Sequence, residues 1–219
     1  MAGNKSELPA LFLSNRKTWD LDMKTALLLS AFVIGGHMIT HQPSLLNVTA
    51  PAIASKTVSY KTSTRKKTSL APIAPVKIVV DKSNYELSVY DAQGWYATYP
   101  VVFGNPSLAD KKMEGDRNTP EGTFRIVAKR VHNKWTRYMA LDYPTSTDLQ
   151  KFAERKRRGE VPPNATPGGG IGIHGVYPHE DFSVDRYNNW TNGCISLKNG
   201  DVQELYGYIA IGTPITIKK

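Results

Sequence analysis

From residue 76 onward the chain alternates between apolar and polar positions. Val76, Ile78 and Val80 fall between Lys77, Val79 and Asp81, and Tyr85, Leu87 and Val89 fall between Glu86, Ser88 and Tyr90. A period of two predicts strands with one buried face. Turn-forming residues separate them at Asp81-Lys-Ser-Asn84 and Asp91-Ala-Gln-Gly94, and Trp95 to Phe103 returns as a third strand, which makes an antiparallel meander. Further strands are expected over 123–128, 138–142, 171–174 and 214–217. Two segments carry a helical period instead. One spans 148–158, with Leu149, Phe152 and Ala153 on one face, Thr147 and Gln150 spaced as a capping box, a Glu154–Arg158 pair, and Gly159 as its stop. The other spans 201–209 after an Asn199 cap, with Val202, Leu205, Tyr206 and Ile209 on one side. No internal repeat is visible. The pattern predicts one mainly β domain with a few short helices over 76–219.

The first third has a different character. Residues 25–40 form an uncharged, mostly apolar run, with Arg16, Lys17 and Lys24 before it and no further basic residue until Lys56. That asymmetry predicts a cytoplasmic front end, residues 1–24, and export of the chain beyond the run. The run reads either as the core of a signal peptide, starting effectively at Met23 and cut near Ala50 or Ala54, or as an uncleaved membrane anchor. Residues 41–75 are rich in Ser, Thr, Ala, Pro and Lys without a sustained period, and are expected to form a flexible basic linker.

Charge and composition narrow the classes. The net charge of +9 suggests a nucleic-acid partner until it is divided by position. Residues 1–76 hold nine Lys/Arg against three Asp/Glu, leaving 19 against 16 for residues 77–219, so the domain is nearly neutral and nucleic acid is not an expected partner. The single cysteine excludes an internal disulfide framework, a CxxC redox motif and a multi-cysteine metal site.

That cysteine, Cys194, lies in Trp190-Thr-Asn-Gly-Cys-Ile-Ser-Leu197. It reads either as a small buried hydrophobe or as a nucleophile. Gly193 permits a tight turn, so the amides around it are candidates for holding an oxyanion. All five histidines precede Cys194, which excludes hydrolase designs in which the base follows the nucleophile. His174 ends the apolar run Ile171-Gly-Ile and precedes Gly175, so it is the candidate base, whereas His132 sits in a polar stretch. His179, Glu180, Asp181 and Asp185 lie in a Pro-containing loop without the helical spacing of a zinc motif, so no metal is expected.

Together, Ile173-His174-Gly175, then Thr191-Asn-Gly-Cys-Ile-Ser-Leu197, with Gly115-Asp-Arg-Asn-Thr-Pro-Glu-Gly-Thr-Phe124 upstream and Gly212-Thr-Pro-Ile-Thr-Ile217 at the close, resemble the L,D-transpeptidases of bacterial cell walls. The resemblance implies a single YkuD-like β-sandwich domain without cofactor. It implies that Cys194 attacks a peptidoglycan stem tetrapeptide to give a thioester, and that His174 exchanges the proton while the Gly175 carbonyl orients its ring. The amides of Asn192, Gly193 and Cys194 would form the oxyanion hole. A second stem peptide, another amine or a wall-anchored protein would then take the acyl group. Water as acceptor would make a carboxypeptidase or amidase, and a non-catalytic wall-binding module is the alternative of another class. Two positions depart from the family pattern: Asn192 stands where His or Ser is common, and Ser196 where Arg is common. Trp190, Thr191, Ser196 and Arg186, the last as a substitute for the missing arginine, are the expected substrate contacts. Residues 147–169 are expected to form either a lid or the cover of a sheet edge.

Overall fold

The computed structural model describes residues 61–65 and 71–219; the apolar run at 25–40 lies outside them. Nine strands join in the order β1-β4-β3-β2-β9-β5-β6-β7-β8. The expected meander is β2 (Lys77–Asp81), β3 (Glu86–Asp91) and β4 (Gly94–Pro100), paired antiparallel. Its alternation is realised: Ile78, Val80, Leu87 and Val89 are fully buried while their neighbours face outward. The closing strand β9 (Pro214–Lys218) lies parallel to β2 and antiparallel to the start of β5 (Gly122–His132).

Strand β5 is longer than the pattern predicted because it belongs to two sheets. Gly122 to Arg125 pair with β9, and from Ile126 onward the strand pairs with β6 (Thr136–Leu141). A register shift between Ile126 and Ala128 marks the changeover, where the extra residue bends the strand. The second sheet continues through β7 (Gly172–Gly175), antiparallel to β6, to β8 (Ile195–Leu197), parallel to β7. One apolar core serves both sheets and includes Leu87, Phe124, Met139, Ile173, Ile195 and Leu205.

The third strand stops earlier than expected. Pro100 has no N–H to continue the ladder, and the chain crosses to the far sheet, where Val102 exchanges both backbone hydrogen bonds with Ser196 at 2.9 Å. β1 (Thr64–Arg65) was not anticipated, because a two-residue strand leaves no periodicity. It pairs with the edge strand β4, and Ser63 Oγ donates to Asp201 Oδ2 at 2.6 Å while Arg65 pairs with Glu204 at 2.6 Å. Residues 61–65, inside the stretch read as linker, therefore lie against the domain.

The helices also differ in detail. α1 (Ser146–Arg157) is capped by Thr145 with Asp148, not by Thr147 with Gln150: Thr145 is extended, and its N–H donates to Asp148 Oδ2 at 2.9 Å. Its apolar face is not buried, since Leu149 is 47% exposed. The helix is instead held by Arg155, which reaches Asp110 Oδ2 at 2.7 Å and Lys111 O at 2.6 Å. The strand after it begins only at Gly172, and the connecting chain is tied down by Glu114 N–H to Thr166 O at 2.8 Å and Tyr143 O–H to Pro167 O at 3.0 Å. α2 (Phe182–Asp185) is a single turn. α3 (Asn199–Tyr208) starts two residues earlier than expected and lies on β6 and β7 with Val202 and Leu205 buried. Asn199 is its first residue and not its cap; its N–H donates to Asp181 Oδ1 at 2.8 Å, and its side-chain oxygen accepts from Thr136 Oγ1 at 2.6 Å.

Candidate active site

The parallel pair β7–β8 sets the site. Ile173 faces Ile195, His174 faces Ser196 and Gly175 faces Leu197, so Cys194 sits at the mouth of β8 beside the strand that carries His174. Parallel neighbours require a crossover of a dozen residues or more, and residues 176–194, with α2 among them, supply it. The spacing between the two residues in the sequence is thus the length of one crossover.

Residues in register across the sheet share a face. Arg130 pairs with Tyr138, Tyr138 with His174, and His174 with Ser196, giving one row across four strands. Its first three members, Arg130, Tyr138 and His174, form one wall of a cleft of about 490 Å³ that also takes in Trp135, Trp190 and Cys194. Trp135 lies flat on the His174 ring at 4.4 Å and flat on His132 on its other side, also at 4.4 Å, while Trp190 meets the His174 ring edge-on at 5.4 Å. His132 Nδ1 accepts from the amides of Lys134 and Trp135, both at 3.2 Å, so it fixes the hairpin from which Trp135 projects.

His174 Nδ1 lies 2.7 Å from Gly175 O. A carbonyl only accepts, so Nδ1 carries the hydrogen and Nε2 keeps a free lone pair. Gly175 must be glycine here, because a Cβ would come within 2.3 Å of Asn199 Oδ1 and 2.8 Å of Trp135 O. Its own N–H donates to Trp135 O at 3.0 Å, which ties the base to the β5–β6 hairpin.

The turn before Cys194 is built by Thr191. Its hydroxyl donates to Cys194 O at 2.7 Å and accepts from Gly193 N–H at 3.2 Å. Gly193 has φ +121, and a Cβ there would meet Asn118 O at 2.7 Å. Gly104 supports the turn from beneath, where a Cβ would come within 2.5 Å of Thr191 O. Cys194 Sγ donates to Gly170 O at 3.5 Å, and the same carbonyl accepts from Tyr138 O–H at 2.9 Å.

Burial sets the protonation of both groups. It pushes His174 down to about 4, against the pull of the Gly175 carbonyl, with the neighbouring His132 adding slightly. It pushes the Cys194 thiol up to about 11, only partly offset by the Gly172 amide and the Lys111 charge. Both shifts favour the neutral forms, thiol and imidazole.

Several expected site residues take other positions. Trp190, Thr191 and Asn192 line the cleft with His174 and Cys194. Ser196 does not: it is fully buried behind His174, its Oγ without a hydrogen-bond partner among the described residues. Arg186 is exposed at the end of α2 with its guanidinium over the Phe182 ring at 5.2 Å, away from the cleft. The Gly193 amide donates to the Thr191 hydroxyl, whereas the amides of Asn192 and Cys194 have no acceptor among the described residues. Asp181 and Asp185, weighed as metal ligands, instead bind the Asn199 amide and Lys198. Trp135, Tyr138, Arg130 and Gly170 were missed. The period-two alternation of β5 and β6 would have placed Arg130 and Tyr138 on a shared face, but only the β6–β7 register shows that the face is that of His174.

The family model for the L,D-transpeptidase catalytic domain, YkuD, matches residues 75–217. Among solved structures, the chain is similar to the helical cell shape determining protein Pgp2 from Campylobacter jejuni, at 22% identity over 66% of this chain and 47% of that one, with a TM-score of 0.48. Similar too are Bd1075 from Bdellovibrio bacteriovorus, at 21% identity over 71% of this chain and 50% of that one, TM-score 0.44, and an L,D-transpeptidase from Mycobacterium tuberculosis, at 16% identity over 66% and 57%, TM-score 0.44. The chain spans about half the length of these proteins. No curated protein matches the chain. With the family model covering most of the chain, and all of it from the first strand of the meander to the last strand of the sheet, this protein belongs to the L,D-transpeptidase catalytic domain family.

Proposed function

We propose that this chain is an exported cysteine acyltransferase that cuts the bond after the third residue of a peptidoglycan stem tetrapeptide and passes the acyl group to an amine. The observation that carries the reading is the pairing of one thiol with one histidine, held by a backbone carbonyl through Nδ1, in a single cleft. The acceptors it fits are a second stem peptide, which gives a 3-3 crosslink, or the amine of another wall-bound group.

The chemistry follows from the resting protonation. Cys194 keeps its proton until attack, and Nε2 of His174 takes that proton as sulfur adds to the peptide carbonyl. The negative oxygen that forms faces the free N–H groups of Cys194 and Asn192. The C–N bond then breaks, His174 returns the proton to the departing amine of the terminal residue, and a thioester remains on Cys194. The acceptor amine attacks the thioester, gives a proton to His174, and the thiol leaves reprotonated. Gly175 orients the base, and Thr191 fixes the turn that presents sulfur. Burial disfavours the imidazolium that forms after attack, so the Gly175 carbonyl, which strengthens its bond to a charged ring, supplies the compensating interaction.

The basic flank of residues 1–24 and the apolar run at 25–40 support delivery of residues 76–219 to the outer face of the membrane, where the wall lies. A reporter active only outside the cytoplasm, fused after residue 75, is expected to give signal; activity of a cytoplasm-only reporter at that junction would reverse the assignment.

Product analysis tests the reaction itself. Incubated with disaccharide tetrapeptides and analysed by mass spectrometry, the protein is expected to release the terminal residue and form a tripeptide-linked dimer. Release with tripeptide alone would make it a hydrolase. Cys194→Ser is expected to abolish both, and His174→Ala to slow turnover by about a hundredfold or more. No release at all would leave the wall-binding alternative.

The protonation assignment has its own test, since Cys194 is the only thiol. Iodoacetamide reacts with thiolate, and with the thiol held near 11 its alkylation rate is expected to rise about tenfold per pH unit from pH 7 to 9 without a plateau. A rate already level across that range would mean a preformed thiolate–imidazolium pair.

A further inference from the structure

The geometry points to Arg130 as the residue that recognises the terminal carboxylate of the peptide cut at Cys194, an inference that rests on the proposed acyl transfer. The walls of the cleft near His174 are aromatic, formed by Trp135, Tyr138, Tyr177 and Trp190. His174 is neutral there, so Arg130 supplies the fixed charge, and no acidic side chain lines the space. Among the described residues Arg130 has no carboxylate partner. Its contact is with the face of Tyr138, where the guanidinium carbon lies 4.9 Å from the ring centre. Stacking holds the planar group by one face and leaves its N–H edge free, the edge that meets a carboxylate with two hydrogen bonds.

Register fixes where that edge lies. Arg130, Tyr138 and His174 occupy one row on three adjacent strands, and strands are spaced about 4.8 Å apart, so the Arg130 backbone lies about 10 Å from that of His174. Tyr138 links the two ends, with Arg130 on its ring and its hydroxyl on the Gly170 carbonyl that also accepts from Cys194. A carboxylate one residue beyond the reacting carbonyl lies within the reach of an arginine placed there. The residues expected from sequence to read this charge do not face the cleft: Ser196 is buried and Arg186 lies on α2. Of the cations nearby, Lys111 is paired with Asp116 at 2.8 Å and Arg117 donates to Thr191 O at 3.2 Å, and neither lines the cleft.

The test uses a stem tetrapeptide and its C-terminal amide, with wild type, Arg130→Gln and Arg130→Lys. Binding is read from the fluorescence of the cleft tryptophans, and turnover from release of the terminal residue. Wild type is expected to bind and cleave the acid better than the amide by roughly tenfold, the size of one charge-assisted hydrogen-bonded pair. Arg130→Gln should bring that ratio close to one by raising KM for the acid with kcat nearly unchanged, and Arg130→Lys should restore part of it. An unchanged ratio in Arg130→Gln, or equal binding of acid and amide by wild type, would overturn the assignment. Preferential binding of the acid without any turnover would sink the acyl-transfer reading while leaving the carboxylate subsite standing.

Discussion

Three residues of parallel pairing, Ile173 to Gly175 against Ile195 to Leu197, hold the candidate site together. They bring a histidine and a cysteine separated by one crossover to adjoining positions at the strands, and nearly everything else in the second sheet keeps that pair in place. Val102 closes the outer side of β8, β6 closes the other side of β7, and the isoleucines at register are fully buried in the shared core. Gly175 shows how tightly the pairing is enclosed, because the carbonyl of Trp135 and the side chain of Asn199 occupy the space in which any larger residue would place its Cβ.

The same enclosure decides the electrostatics. A ring stacked on Trp135 and edged by Trp190 loses water, and the thiol beside it is half-buried with its proton on the Gly170 carbonyl. Burial shifts each toward its neutral form. In the proposed reaction such a site would depend on directed dipoles: the Gly175 carbonyl on an imidazolium once formed, and the amides of Asn192 and Cys194, without acceptors among the described residues, on the oxyanion. The amide between them donates to the Thr191 hydroxyl.

Much of this was legible in the sequence, and the rest was hidden for physical reasons. Alternation exposed β2 and β3, the turn before it marked β4, and short runs between turn residues marked β5, β6, β7 and β9. It did not expose β8, whose three residues are all buried and so show no period, nor β1, which has no apolar face at all. Apolar spacing suggested that α1 buries a face, whereas Arg155 and its ion pair with Asp110 hold it from the side. Cys194 and His174 stood out through their glycine-bearing motifs. Tyr138 and Arg130 did not, because their place beside His174 comes from cross-strand register, a property of paired strands that no single strand carries, and Trp135 did not, because it reaches the ring from the turn between β5 and β6.

The central claim is that Cys194 becomes acylated, and intact-protein mass spectrometry tests it most directly. Mixed with a stem tetrapeptide in the absence of an acceptor amine and sampled within the first turnovers, the protein should gain the mass of the tripeptide acyl group, released by hydroxylamine and absent from Cys194→Ser. Consumption of the tetrapeptide with no such adduct, or an adduct that persists in Cys194→Ser, would contradict the account.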